Sequence, residues 1–80
     1  MKANISLSYS GRTREDHVSK NGHVNLLLNQ HGRILSKLPL GDGRYHFVIE
    51  LNDLERFTNS LFEFTRQHPW LRVEKVSAHA

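Results

Sequence analysis

The amino-acid sequence predicts a small α+β domain: four N-terminal β-strands, one amphipathic α-helix and a C-terminal β-strand, with the helix packed on one face of a mainly antiparallel sheet. Three observations carry that prediction. Tyr45, Phe47, Ile49 and Leu51 alternate with other residues, the period-two pattern of a half-buried strand. Leu54, Phe57, Leu61 and Phe64 recur at spacings of three and four, the pattern of a helix with one apolar stripe. Leu71 and Val73 then resume a strand alternation after Pro69. Eighty residues have room for one domain, spanning 1–80, with one thin core. A helix laid on a sheet lets each element cover a single apolar side.

Taken in order, Ile5, Leu7 and Tyr9 alternate with Asn4, Ser6 and Ser8 and predict the first strand. The polar segment from Ser10 to Gly22 reads as a long loop. Val24, Leu26 and Leu28 suggest a second strand over residues 23–29, hairpinned through Gly32 to a third at 33–38. Pro39, Gly41 and Gly43 interrupt regular structure, and Asp42-Gly43 favours a turn before the fourth strand at Tyr45. Asn52 is the expected helix N-cap, with Glu55 three residues on completing a capping box. Pro69 stops the helix near Gln67 or His68. If the strands flanking that helix are parallel, it forms a right-handed crossover. Residues 77–80 read as a flexible tail.

No cysteine is present, which excludes a disulfide framework and thiolate metal sites. The opening MKANISLSYS lacks the apolar run of a signal peptide, and no stretch reaches membrane-span length, so a soluble cytoplasmic protein is the expectation. Eleven Lys and Arg against eight Asp and Glu give a formal charge of +3, modestly favouring acidic partners. Six histidines make that charge pH-dependent.

The sequence carries no pattern that specifies catalysis. The histidines do not form the H-E-x-x-H spacing that puts two zinc ligands and a base on one helix face. Asp16-His17 is a neighbouring pair with no serine singled out as nucleophile, and LPLGDGR has no P-loop lysine or following helix. No enzyme activity, cofactor or metal is expected. The predicted helix offers a mixed face of Asp53, Glu55, Arg56, Asn59, Glu63 and Arg66, poor material for reading a DNA groove.

The reading that remains is a non-enzymatic regulatory or inhibitory protein that docks onto a protein or nucleoprotein surface. Its expected contacts are a basic loop rim of Arg12, Arg14, Lys20 and Arg44 and the aromatic anchors Tyr45 and Trp70. Glu15, Asp16 and Asp42 fall at the same end and partly offset that charge. Val48, Leu27 and Val76 would form an apolar surface on the sheet's other side. The alternatives are direct nucleic-acid binding through the basic rim and a homo-oligomeric module, with a homodimer as its simplest form. No membrane contact is expected.

Overall fold

The computed structural model describes residues 1–10 and 14–79, except the side chains of residues 14–17 and 79. Its elements run β1 (Lys2–Tyr9), α1 (Arg14–His31), β2 (Gly32–Gly41), β3 (Arg44–Leu51), α2 (Leu54–Gln67) and β4 (Leu71–His79). The four strands form one sheet in the order β2-β3-β1-β4, and every neighbouring pair is antiparallel. β1 and β2 are therefore parallel with β3 between them, and β3 and β4 are parallel with β1 between them. Two helix-bearing crossovers interleave, the split βαβ arrangement.

This is the expected α+β class with an antiparallel sheet, but the element count differs from the sequence prediction. Among the described residues there are four strands rather than five, and two helices rather than one. Residues 14–22, expected as part of a loop, and 23–29, expected as a strand, belong to helix α1; residues 11–13 of the expected loop lie outside the described residues. Val24, Leu27 and Leu28 are buried, at spacings of three and four, whereas Leu26 is 62% exposed. Consecutive leucines at 26–28 fit either period, and packing against the sheet selects the helical one. Leu27 accordingly belongs to the core, not to an apolar surface on the far side of the sheet.

The core lies between the helices and one sheet face. Ala3, Ile5, Leu7 and Tyr9 from β1 and Phe47, Ile49 and Leu51 from β3 supply its floor. Val24, Leu27 and Leu28 of α1 and Phe57 and Leu61 of α2 close it from above. α2 begins one residue later than the capping box implied. Its N-cap is Asp53, whose Oδ1 accepts from the Arg56 amide at 3.1 Å. Arg56 therefore occupies the third helical position, and Glu55 sits in the first turn, where a carboxylate suits the helix dipole.

Two glycine-containing junctions set the sheet. The β2–β3 hairpin turns through Asp42 and Gly43, with φ of 54° and 74°, as a two-residue turn of the primed kind requires. β2 continues through Pro39 to Gly41, although the sequence argued for an interruption there; the pairing slips between Pro39 and Gly41 instead. Gly32 follows α1 without an intervening loop, and a Cβ there would lie 2.0 Å from the Glu50 carbonyl oxygen. Residues 77–79, expected as tail, extend β4 and pair with Asn4, Ala3 and Lys2.

Candidate binding face

The helices cover one face of the sheet; the pairing register identifies what the other face carries. Residues directly opposite on adjacent strands share a face. Starting beside the hairpin turn, the rows on the uncovered face are Arg72–Ser8–Arg44, then Lys75–Ser6–His46–Leu38. Next come Ser77–Asn4–Val48–Ser36 and finally Lys2–Glu50–Arg33. The small polar side chains of β1 are the reason this face stays open: Asn4, Ser6 and Ser8 offer a helix nothing to bury against.

His46 organises the middle of the face. Its Nε2 lies 3.2 Å from Asn4 Oδ1, and its Nδ1 lies 3.2 Å from Ser6 Oγ. In a neutral ring Nε2–H donates to the amide oxygen and the serine hydroxyl donates to Nδ1. The imidazole of β3 is thereby tied to β1 at both ring nitrogens.

Charge divides the face into two halves. In the last row Glu50 lies opposite both Lys2 and Arg33, and its Oε1 is 3.3 Å from the amino-terminal ammonium. The two rows nearest the hairpin turn hold Arg44, Arg72 and Lys75 around Ser6, Ser8 and His46, with no carboxylate in either row. None of these three cations has an ion-pair partner among the described residues.

The residues singled out from sequence are distributed differently. Arg12 lies outside the described residues, and Arg14 opens α1 with its side chain likewise outside them. Arg44 is on the uncovered face, but its neighbour Tyr45 points the other way, with its ring 4.9 Å from that of Tyr9. Trp70 packs edge-on to Tyr9 at 5.9 Å and to Phe64 at 6.0 Å, both at 90°. Lys20, on α1, donates to the Ser10 carbonyl and stands 5.5 Å above the Trp70 ring. Tyr45, Trp70 and Lys20 thus share the hairpin end of the molecule with Arg44, but they lie in the helix layer. His68 stacks on Phe64 at 4.0 Å, and its Nδ1 donates to the Phe64 carbonyl at 3.0 Å.

Sequence reasoning missed Arg72, Lys75 and His46. The signal was present for Arg72 and His46, which alternate away from the apolar positions of their strands; Lys75 has the parity of Leu71 and Val73 and reaches the open face only because the β4 register slips. What the sequence lacked was the strand order that places β4 and β3 on either side of β1. Burial also acts on two groups of the covered face. It raises the Tyr9 phenol pKa, with the neighbouring Tyr45 adding to the effect, while Tyr9 Oη donates to Asn21 Oδ1 at 3.2 Å. Burial lowers the Lys37 ammonium pKa, although that group also sits 4.8 Å over the Tyr45 ring.

Among the described residues no helix is long and apolar enough to cross a membrane, and no three of His, Cys, Asp and Glu converge as metal ligands. Comparison with protein-family models and with curated proteins returns no match.

Proposed function

We propose that this protein is a non-enzymatic regulatory binding protein that docks its uncovered sheet face onto an acidic protein surface. The observation that carries the reading is the pair of rows nearest the hairpin turn, where Arg44, Arg72 and Lys75 surround His46, Ser6 and Ser8, three cations against the one neighbouring carboxylate, Glu74 of the β4 bulge. Arginine forks suit carboxylates, and the hydroxyls and imidazole add neutral hydrogen-bonding capacity between them. The β-sheet backbone is already ordered, so binding has to fix only the long Arg and Lys side chains. A partner whose acidic surface is occupied in this way is blocked from its other ligands, which is how such a body would regulate.

Direct nucleic-acid binding uses the same cations, but an RNA-reading sheet stacks bases on aromatic side chains. The rows of the uncovered face contain no Phe, Tyr or Trp; those side chains of the strands lie on the helix side. This favours carboxylates over bases as the target.

The test is a salt series of binding measurements with three probes: polyglutamate, single-stranded RNA and duplex DNA. The expected result is polyglutamate binding that weakens with salt and falls by about tenfold, or about 1.4 kcal/mol, in Arg44→Glu and Arg72→Glu. Tighter binding of RNA or DNA at the same ionic strength would transfer the assignment to nucleic acid. Polyglutamate binding unchanged by both reversals would remove the face from the mechanism.

A further inference from the structure

The outer strand β4 has an unusual combination of features. Its pairing with β1 slips between Ser6 and Leu7, so that Lys75 opposes Ser6 and Val73 opposes Leu7. Glu74 is the extra residue of this bulge. The bulge interrupts alternation: Val73 and Val76, three apart, both fall on the helix side, as does Ala78, while Arg72, Lys75 and Ser77 fall on the uncovered side. Glu74 and Lys75 are both exposed, and neither has an ion-pair partner among the described residues.

Beside this strand lies a groove of about 430 Å³, walled by Leu54, Thr58 and Phe62 of α2 and lined along β4 by Val73, Val76 and Ala78 together with the charged pair Glu74 and Lys75. Thr58 is tied to its own helix, its hydroxyl donating to the Leu54 carbonyl at 2.8 Å. Phe62, at the lip, is 53% exposed. No element of the described chain lies beyond β4, which ends the sheet.

We propose that a second copy of this chain occupies that edge, with the two β4 strands antiparallel across a two-fold axis between Glu74 and Lys75. In this register Glu74 of each copy faces Lys75 of the other, so two opposite-charge pairs form at the centre. Val73 then lies opposite the other copy's Val76, Leu71 opposite Ala78 and Arg72 opposite Ser77. The bulge is what makes the pairing consistent by face. In a regular strand an offset of this kind would oppose residues from different faces, since alternation has period two. Here the residues on either side of the bulge match, helix side to helix side and open side to open side. Both copies keep their helices on one side of an eight-stranded sheet. The two α2 helices then flank the axis, with the Phe62 rings over the joined valine floor. The contact is isologous, as a two-fold dimer requires.

This inference shares Lys75 with the proposed acidic-partner face, since the dimer pairs it with Glu74 of the other copy and leaves Arg44 and Arg72 for the partner; its test reads mass alone and needs no acidic probe. Its test is molecular mass by sedimentation equilibrium across a concentration series, with single and paired charge reversals. The native chain is expected to be dimeric. Glu74→Lys alone and Lys75→Glu alone should each dissociate at least tenfold more readily, because each places like charges across the axis. Mixing the two single variants should give a one-to-one heterodimer, and the double swap Glu74→Lys with Lys75→Glu should restore self-association. Recovery in the mixture separates a lost contact from a lost fold. The chain has no cysteine, so an Arg72→Cys, Ser77→Cys variant reports the register directly: a short bis-maleimide should link two copies. A native chain that remains monomeric at high concentration, or a dimer indifferent to both reversals, overturns the proposal.

Discussion

The two outer strands of this sheet handle their unpaired backbone edges in opposite ways. β4 carries Glu74 beside Lys75 at a bulge, a pair of charges that complements itself in an antiparallel copy. β2 carries Arg33 and Lys37 with no acidic residue between Gly32 and Gly41. Any self-pairing of β2 therefore gathers four cations without a counter-charge. Pro39 adds a position without an amide hydrogen, and the pairing of β2 with β3 is irregular at two places. Yet β2 is the more apolar edge, exposing Leu35, Leu38 and Leu40 at 44%, 55% and 46%. In the proposed dimer, then, it is charge pattern and face register, not exposed apolar area, that select the edge.

That contrast can be broken hardest at Gly32, where β2 is seated. Gly32→Ala drives a methyl into the Glu50 carbonyl and should cost on the order of 3 kcal/mol in denaturant unfolding. An unchanged midpoint would mean that β2 is not held as described. A sharper probe is Pro39→Val combined with Lys37→Glu, which supplies the amide and the missing acid together. With β4 intact, the second sticky edge should convert a closed dimer into concentration-dependent larger species, read by light scattering. Stability itself should move by less than about 1 kcal/mol, since the site is at an edge.

The smallest effect concerns titration and separates the β2 edge from the interior. The raised Tyr9 phenol keeps its proton in the folded state when the unfolded chain begins to lose it near 10.0. Its contribution is fully present below that pH and is lost as pH rises above it. Lys37 acts in the opposite direction: its depressed folded value means stability grows as pH rises through that value toward 10.5. Alkaline unfolding curves should therefore flatten above pH 10 in Tyr9→Phe, and Lys37→Met should lose the gain at lower pH. Curves identical to the native one would deny both burial effects.

Much of this scaffold was legible in the chain, and the illegible part has a physical cause. The run from Tyr45 to Val73 reads correctly as strand, helix and strand because alternation, helical spacing and Pro69 agree. The hairpin at Asp42-Gly43 is equally plain, since the turn needs positive φ at both positions. Helix α1 was hidden: Asn21, Gly22 and Asn25 are weak helix formers, and its identity rests on Val24, Leu27 and Leu28 meeting a sheet not yet visible. The N-cap moved from Asn52 to Asp53 because either side chain can cap and packing decides between them. Of the cations on the candidate face, the sequence reading names Arg44 but not Arg72 or Lys75. Sequence locates a charge along a strand, but only strand order tells which charges become neighbours.

The strand order also governs when the molecule can become itself. β2 and β3 are joined by a two-residue turn, so their pairing is local and closes on the microsecond scale of a hairpin. β1 has no such neighbour: Lys2 pairs with Glu50 on one side and His79 on the other. During synthesis β1 therefore waits for β3, and its second edge remains open until β4 follows. In chain order β1 precedes both of its sheet partners, and its Ile5 and Leu7 side chains stay uncovered until the helices that close the core pack over them.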